Sequence, residues 1–159
     1  LTFILPPLQQ VLPEIINFAP IPYLMISTEA RKTFRKAEKI CNQKQIDNLF
    51  SEGKSIRSGM FRLHYLVSDT AVTPAVQLLI AVPKRNLRHA VTRNRMKRLI
   101  RESYRLHKQK VLDFFSSRNK HCDIAIVFTG QQCISQQETH TAINELLDRL
   151  IKTHEKNPE

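Results

Sequence analysis

Between Arg93 and Arg105 stand six basic side chains, five of them arginines. Their planar guanidinium forks grip phosphate oxygens bidentately, where a lysine offers only a point charge. At about 100° per residue, Arg93, Lys97, Arg101, Asn94, Arg105 and Arg98 follow one another around one half of a helical cylinder. Met96, Leu99, Ile100 and Thr92 occupy the other half, and Arg95 sits at the boundary. A helix of this kind packs its apolar stripe on a core and presents a basic wall outward. Between Lys84 and Lys110 there are 11 basic residues against a single acid, Glu102. A solvated helix face usually interleaves Glu with Lys at i,i+4. Here Arg93, Lys97, Arg101 and Arg105 stack like charges, each pair unfavourable by about 0.2–0.5 kcal/mol. A polyanion would relieve that repulsion, and the preponderance of arginine favours phosphates over a membrane surface.

Chemistry of the cutting kind is not written in the same way. A protein nuclease ordinarily clusters carboxylates around metal ions or sets an acid–base pair at the phosphodiester. The 14 acids are scattered, with no Asp-x-Asp pair, and three glycines leave no room for a glycine-rich phosphate loop. His64, His89, His107, His121, His140 and His154 are dispersed. Cys41, Cys122 and Cys133 lack Cys-x-x-Cys spacing, so they are expected to be reduced thiols of a cytoplasmic protein rather than zinc ligands. No catalytic residue and no metal ligand is assigned. A sequence pI of about 10.0, from 25 Lys and Arg against 14 Asp and Glu, agrees with a nucleic-acid partner.

The basic run resembles the signature of the protein subunit of bacterial ribonuclease P. In that family an Arg-Asn-Arg triplet opens a helix and Lys-Arg, Arg-Glu and a further Arg follow. They stand here as Arg93-Asn94-Arg95, Lys97-Arg98, Arg101-Glu102 and Arg105. Ala81-Val82-Pro83-Lys84-Arg85 is similar to the strand end and basic pair before the helix, and Ala90-Val91 precede the triplet as in the family. The resemblance extends from about Phe34 to about Leu150. It implies that an RNA subunit holds Mg²⁺ and removes the 5′ leader of precursor tRNA, while the protein binds that RNA and the leader and carries no cofactor. It places Lys84, Arg85, Arg93, Asn94, Arg95, Lys97, Arg98, Arg101 and Arg105 on the catalytic RNA, with Asn94 as a hydrogen-bonder or as the organiser of the helix start. It places the aromatic edge of the helix that carries Phe50 along the leader cleft, although the ring taken by itself reads more readily as core; Arg62 and His64, turned away from the core, either line that cleft or form an ordinary wet sheet face. Ile46 stands where the family commonly has an aromatic, and the Lys84–His89 link looks one residue longer than usual and lacks its glycine. The alternatives are a basic module of another ribonucleoprotein and, less well supported, a DNA-reading helix, which normally follows another helix rather than a strand. No membrane or DNA partner is expected.

The elements that must position these residues follow from periodicity. Asn42 is a helix cap, Ile46, Leu49 and Phe50 form a short apolar stripe, and Gly53 ends the helix in a left-handed cap. Phe61 to Val67 alternates as a half-buried strand, turning Arg62 and His64 away from the core. Val76 to Val82 reads as a central strand, as does Asp123 to Phe128. Val111 to Phe115 either extends the basic helix or forms a further turn. Ser135 and Glu138 form a capping box before a last helix with Ala142, Ile143, Leu146, Leu147, Leu150 and Ile151 on its apolar face. The expected fold is α+β: a two-layer sandwich with a central, mostly antiparallel sheet of about four strands and helices mainly on one face. The resemblance implies the fold of the second domain of ribosomal protein S5, with a left-handed β-α-β crossover. The domain is set at 31–153, before a tail at 154–159 expected to fray. Residues 1–30 form an N-terminal extension, proline-rich over 1–24. Met25 is a candidate translation start, with 1–24 expected to be an over-extended reading of the gene or, alternatively, a disordered arm.

Overall fold

The computed structural model describes residues 33–70 and 72–156. The expectations about Met25 and residues 1–30 lie outside them. Eight elements follow in order: a 3-10 turn at Lys36–Glu38, α1 (Gln43–Ser51), β1 (Lys54–Ser58), β2 (Phe61–Ser68), β3 (Val76–Ala81), α2 (Ala90–Ser116), β4 (His121–Phe128) and α3 (Gln136–Lys156).

The strands form one sheet in the order β1-β2-β4-β3. The β1–β2 and β2–β4 pairs are antiparallel and β3–β4 is parallel. The parallel pair requires a crossover, and α2 supplies it. Side-chain alternation divides the sheet into two faces. On one, Phe61, Leu63, Tyr65, Val76, Leu78, Ile124, Ile126 and Phe128 form a continuous core with Met96, Ile100, Tyr104, Val111 and Phe115 of α2 and Ile143, Leu146, Leu147 and Leu150 of α3. On the other, Leu49 of α1 and Ile40 cover Ala125, with Ile46, Leu66 and Leu79 packed alongside. The outer edge of β3 is closed by the chain before α1, where Ile40 N–H donates to the Leu78 carbonyl at 3.2 Å. That leaves part of the second face open.

The caps are the ones the residue types dictate. Asn42 accepts from the Lys44 amide at 3.0 Å. Ser135 Oγ accepts from the Glu138 amide at 3.2 Å, and Glu138 Oε2 accepts from the Ser135 amide at 2.9 Å. Val111 to Phe115 belong to α2, which runs unbroken to Ser116. Two expectations need correction. Gly53 is not left-handed; glycine is required because a Cβ there would collide with the Leu49 carbonyl and lie 3.0 Å from the Tyr65 carbonyl. The left-handed glycine is Gly59, φ +52°, opening the two-residue hairpin between β1 and β2. The expected fraying does not begin at His154 either, because α3 continues to Lys156 and the His154 ring packs between Tyr65 and Phe115 at 5.2 and 5.7 Å; 157–159 lie outside the described residues.

Candidate nucleic-acid interface

The orientation of α2 is set by its buried residues. Met96, Ile100, Ser103, Tyr104, Lys108, Val111 and Phe115 turn inward, so the outward face is centred opposite them, near Arg98. Asn94, Arg95, Arg98 and Arg101 are exposed, and Arg105 is half-buried. Among the described residues, Arg95, Arg98 and Arg101 make no ion pair. Arg105 forks onto Glu102, with Nε to Oε2 at 3.0 Å and a terminal nitrogen to Oε1 at 2.6 Å. That fork holds the Glu102 carboxyl below its ordinary pKa. The single acid of the wall is thereby matched by its neighbour.

Two members of the expected wall lie closer to the protein. Arg93 and Lys97 are half-buried. Arg93 donates to the carbonyls of Leu87 at 3.0 Å and Arg88 at 2.7 Å, which pins the loop leading into the helix. Asn94 cannot organise the helix start, because α2 begins four residues earlier at Ala90 with His89 as its N-cap. Lys108 and Lys110, which raise the basic count of this stretch, are engaged internally. Lys108 is buried and donates to both Glu38 carboxylate oxygens at 2.7 Å and to the Thr33 carbonyl at 2.6 Å. Lys110 reaches Asp148 and, at 2.5 Å, Asn144 on α3. Tyr104 is fully buried, its ring 5.9 Å from Phe34. Burial pushes its hydroxyl well above the usual tyrosine pKa.

The open part of the second sheet face carries the other expected residues. Arg62 and His64 point there from β2. Phe50, at the end of α1, is 43% exposed beside buried Leu49, and its ring meets His64 edge to face with centroids 5.0 Å apart. Burial, then the neighbouring Arg62 charge, holds His64 below the ordinary histidine pKa. Both influences favour the neutral form of the ring beside Phe50. Register adds a residue that periodicity had not marked: exposed Arg57 of β1 lies directly across from Arg62. Like charges opposite one another on a sheet are destabilising, so this pair also favours an anionic occupant. Arg57 was missed because its short strand has Ile56 as its single large apolar residue, and no alternation marks it.

α1 is fixed under this face by a polar network. Gln45 Nε2 donates to Gln77 Oε1 and Asp123 Oδ1, both at 2.7 Å. The ring of His121 bridges Asp123 at 3.1 Å and the Pro74 carbonyl at 3.0 Å. The Asp123 hydrogen bond raises the His121 pKa, with burial working against it. Lys84 and Arg85, also expected on RNA, line hollows around the loop before α2. Among the described residues, no group of three or more His, Cys, Asp or Glu could hold a metal ion. No helix there is long and apolar enough to cross a membrane.

An α+β protein with one arginine-lined helix and a second cationic, aromatic-edged sheet face is of the nucleic-acid-binding class. The sequence model of the family described as Ribonuclease P matches residues 34–153. The Ribonuclease P protein component of Chlorobium phaeobacteroides is 40% identical over 106 residues, covering 62% of this chain and 73% of that protein. That of Porphyromonas gingivalis is 30% identical over 115 residues, covering 72% and 84%. The fold agrees with the solved RNase P protein of Staphylococcus aureus, TM-score 0.57 at 22% identity, covering 72% of this chain and 96% of that one. It also agrees with the RNase P protein of Thermotoga maritima, TM-score 0.55 at 21% identity, covering 70% and 96%. The chain belongs to the ribonuclease P protein family, the RNA-binding protein subunits of this endoribonuclease. The match spans all the described elements that build the two surfaces, so a module of an unrelated ribonucleoprotein is not favoured.

Proposed function

We propose that the chain divides its work between two RNAs, on surfaces built on opposite faces of the sheet. The outward side of α2, with Asn94, Arg95, Arg98 and Arg101 at its centre and Lys97 and Arg105 at its flanks, docks on the ribonuclease P RNA. Lys84 and Arg85 extend that contact into the preceding loop. The open sheet face, bordered by Phe50, Arg62 and His64, guides the single-stranded 5′ leader of precursor tRNA by stacking and charge, with little base specificity. Hydrolysis belongs to the RNA subunit with its Mg²⁺, and this chain supplies affinity, orientation and counterion release. The cytoplasm, where precursor tRNA is processed, is the proposed location.

The observation that carries this reading is the segregation itself. α2 packs against one sheet face and Phe50 stands on the other, so one RNA does not need to displace the other. The test is reconstitution of precursor-tRNA cleavage with ribonuclease P RNA, comparing affinity for precursor and for leaderless tRNA. The holoenzyme should prefer the precursor, and the protein freed of RNA should not cleave. Cleavage by the RNA-free protein would refute the division of labour, and equal affinity for both substrates would remove the leader from the sheet face.

A further inference from the structure

The loop between β3 and α2 is shaped as well as charged. Leu87 is only 5% exposed and anchors it from beneath. The Asn86 side chain donates to the Phe128 carbonyl at 2.7 Å, and Arg93 closes the loop from behind through the Leu87 and Arg88 carbonyls. A hollow of about 470 Å³ opens between this loop and the segment after β4. A second, of about 720 Å³, lies against Lys84, Arg85, Arg88 and His89. Arg85, Arg88 and His89 line both, the two arginines forming a cationic ridge between them, and among the described residues no carboxylate lines either. The first hollow differs from a plain phosphate spot: behind the ridge its lining is uncharged, formed by Leu87, Thr92, Gln132 and Cys133 among others.

A rim of guanidinium groups around an uncharged, amide-bearing interior matches a nucleotide, whose phosphate is anionic and whose base has an apolar face and polar edges. The volume is within the usual range of small-ligand sites, about 300–1,000 Å³. We propose that this hollow receives one unpaired nucleotide of the ribonuclease P RNA, its phosphate on Arg85 and Arg88 and its base against the interior, with the Gln132 amide at the base edge. Arg93 is then a positioning residue that holds the hollow in shape. The proposal rests on the docking of α2 on that RNA, because the hollow adjoins the start of the same helix.

Cys133 is a native reporter, since a nucleotide in the hollow covers it. Cys41 is exposed and serves as the reference thiol. The full chain is treated with iodoacetamide and each thiol is followed by mass spectrometry, with filter binding run in parallel. Saturating ribonuclease P RNA should slow alkylation of Cys133 relative to Cys41 by about tenfold or more, since only the unbound fraction reacts. A leader oligonucleotide at saturation should leave Cys133 unprotected. Among small probes, 5′-AMP should protect it and inorganic phosphate at the same concentration should not. In the Arg88→Ala/Gln132→Ala variant, protection by RNA should be lost while salt-dependent RNA binding through α2 persists. RNA binding with Cys133 reacting at its free rate would overturn the hollow while leaving the docking of α2 intact. Absence of any RNA binding would instead overturn the docking, and the hollow with it. Protection by the leader would overturn the assignment to the RNA subunit, and equal protection by phosphate would overturn the nucleotide.

Discussion

Phe50 and His64 meet edge to face across the joint between α1 and β2, their ring centroids 5.0 Å apart with the planes at 62°. Leu49 next to Phe50 takes the buried position, which leaves the Phe50 ring half in solvent with the imidazole of His64 as its wall. Phe50→Ala should therefore weaken binding of leader-bearing precursor by about 1–3 kcal/mol, the usual worth of one stacked base. Affinity for leaderless tRNA should stay unchanged. A lowered melting temperature with the precursor-to-leaderless ratio intact would show that the ring is structural.

Arg95 and Arg101 lie on the exposed side of α2 without an ion pair among the described residues. Replacing both with Ala should leave stability within about 0.5 kcal/mol, as for other surface positions away from caps and cores. Affinity for ribonuclease P RNA should fall, and the slope of log affinity against log salt should become shallower by about one unit per lost phosphate contact. Loss of leader discrimination at full assembly, with the salt slope unchanged, would exchange the roles of the two surfaces.

Lys108 and Glu38 form a buried ion pair between α2 and the 3-10 turn, both members under one-tenth exposed. Removing one partner leaves the other charge buried and unmatched, a loss of about 3–5 kcal/mol in comparable pairs. Lys108→Met alone should show a loss of that size in urea unfolding, and adding Glu38→Leu should recover much of it. A double variant as unstable as the single one would mean that the Lys108 bond to the Thr33 carbonyl, rather than the charge pair, fixes this turn.

His121 gives the fold a pH dependence with a definite sign. Its pKa is raised in the folded chain by the Asp123 carboxylate, so its contribution is fully present below the ordinary histidine value of about 6.5. It is lost as pH rises through the folded value. The stability difference between the native chain and His121→Phe should be larger at pH 5.5 than at pH 8.5. A difference that is constant or grows with pH would mean that Asp123 does not hold the imidazolium.

Much of this architecture is legible in the sequence because it rests on local signals. The Phe61 to Val67 alternation, the apolar face from Ala142 to Ile151 and the caps at Asn42 and Ser135 each reflect short-range physics. β1 is not legible that way: Lys54-Ser55-Ile56-Arg57-Ser58 becomes a strand because the Gly59 turn brings it beside β2. The basic wall is predicted in kind and shifted in angle. Helical geometry makes Arg93 a member of the wall, but its side chain turns to the carbonyls of a loop whose course no periodicity encodes. Lys108 likewise counts toward the basic stretch until Glu38, seventy residues away, is seen to neutralise it.

If α2 docks on RNA as proposed, Arg95, Arg98 and Arg101, which make no ion pair among the described residues, also couple the stability of the fold to its partner. Their mutual repulsion is present in the folded chain and diminishes as the residues separate on unfolding, whereas a bound polyanion engages only the folded arrangement. By mass action, RNA at 100 times its dissociation constant adds about 2.7 kcal/mol to unfolding, a large fraction of the 5–15 kcal/mol that holds a typical domain together. On the proposed docking, chain made in excess of its RNA lacks this increment, so the charge pattern that would recognise the partner also leaves the unassembled chain the less stable form.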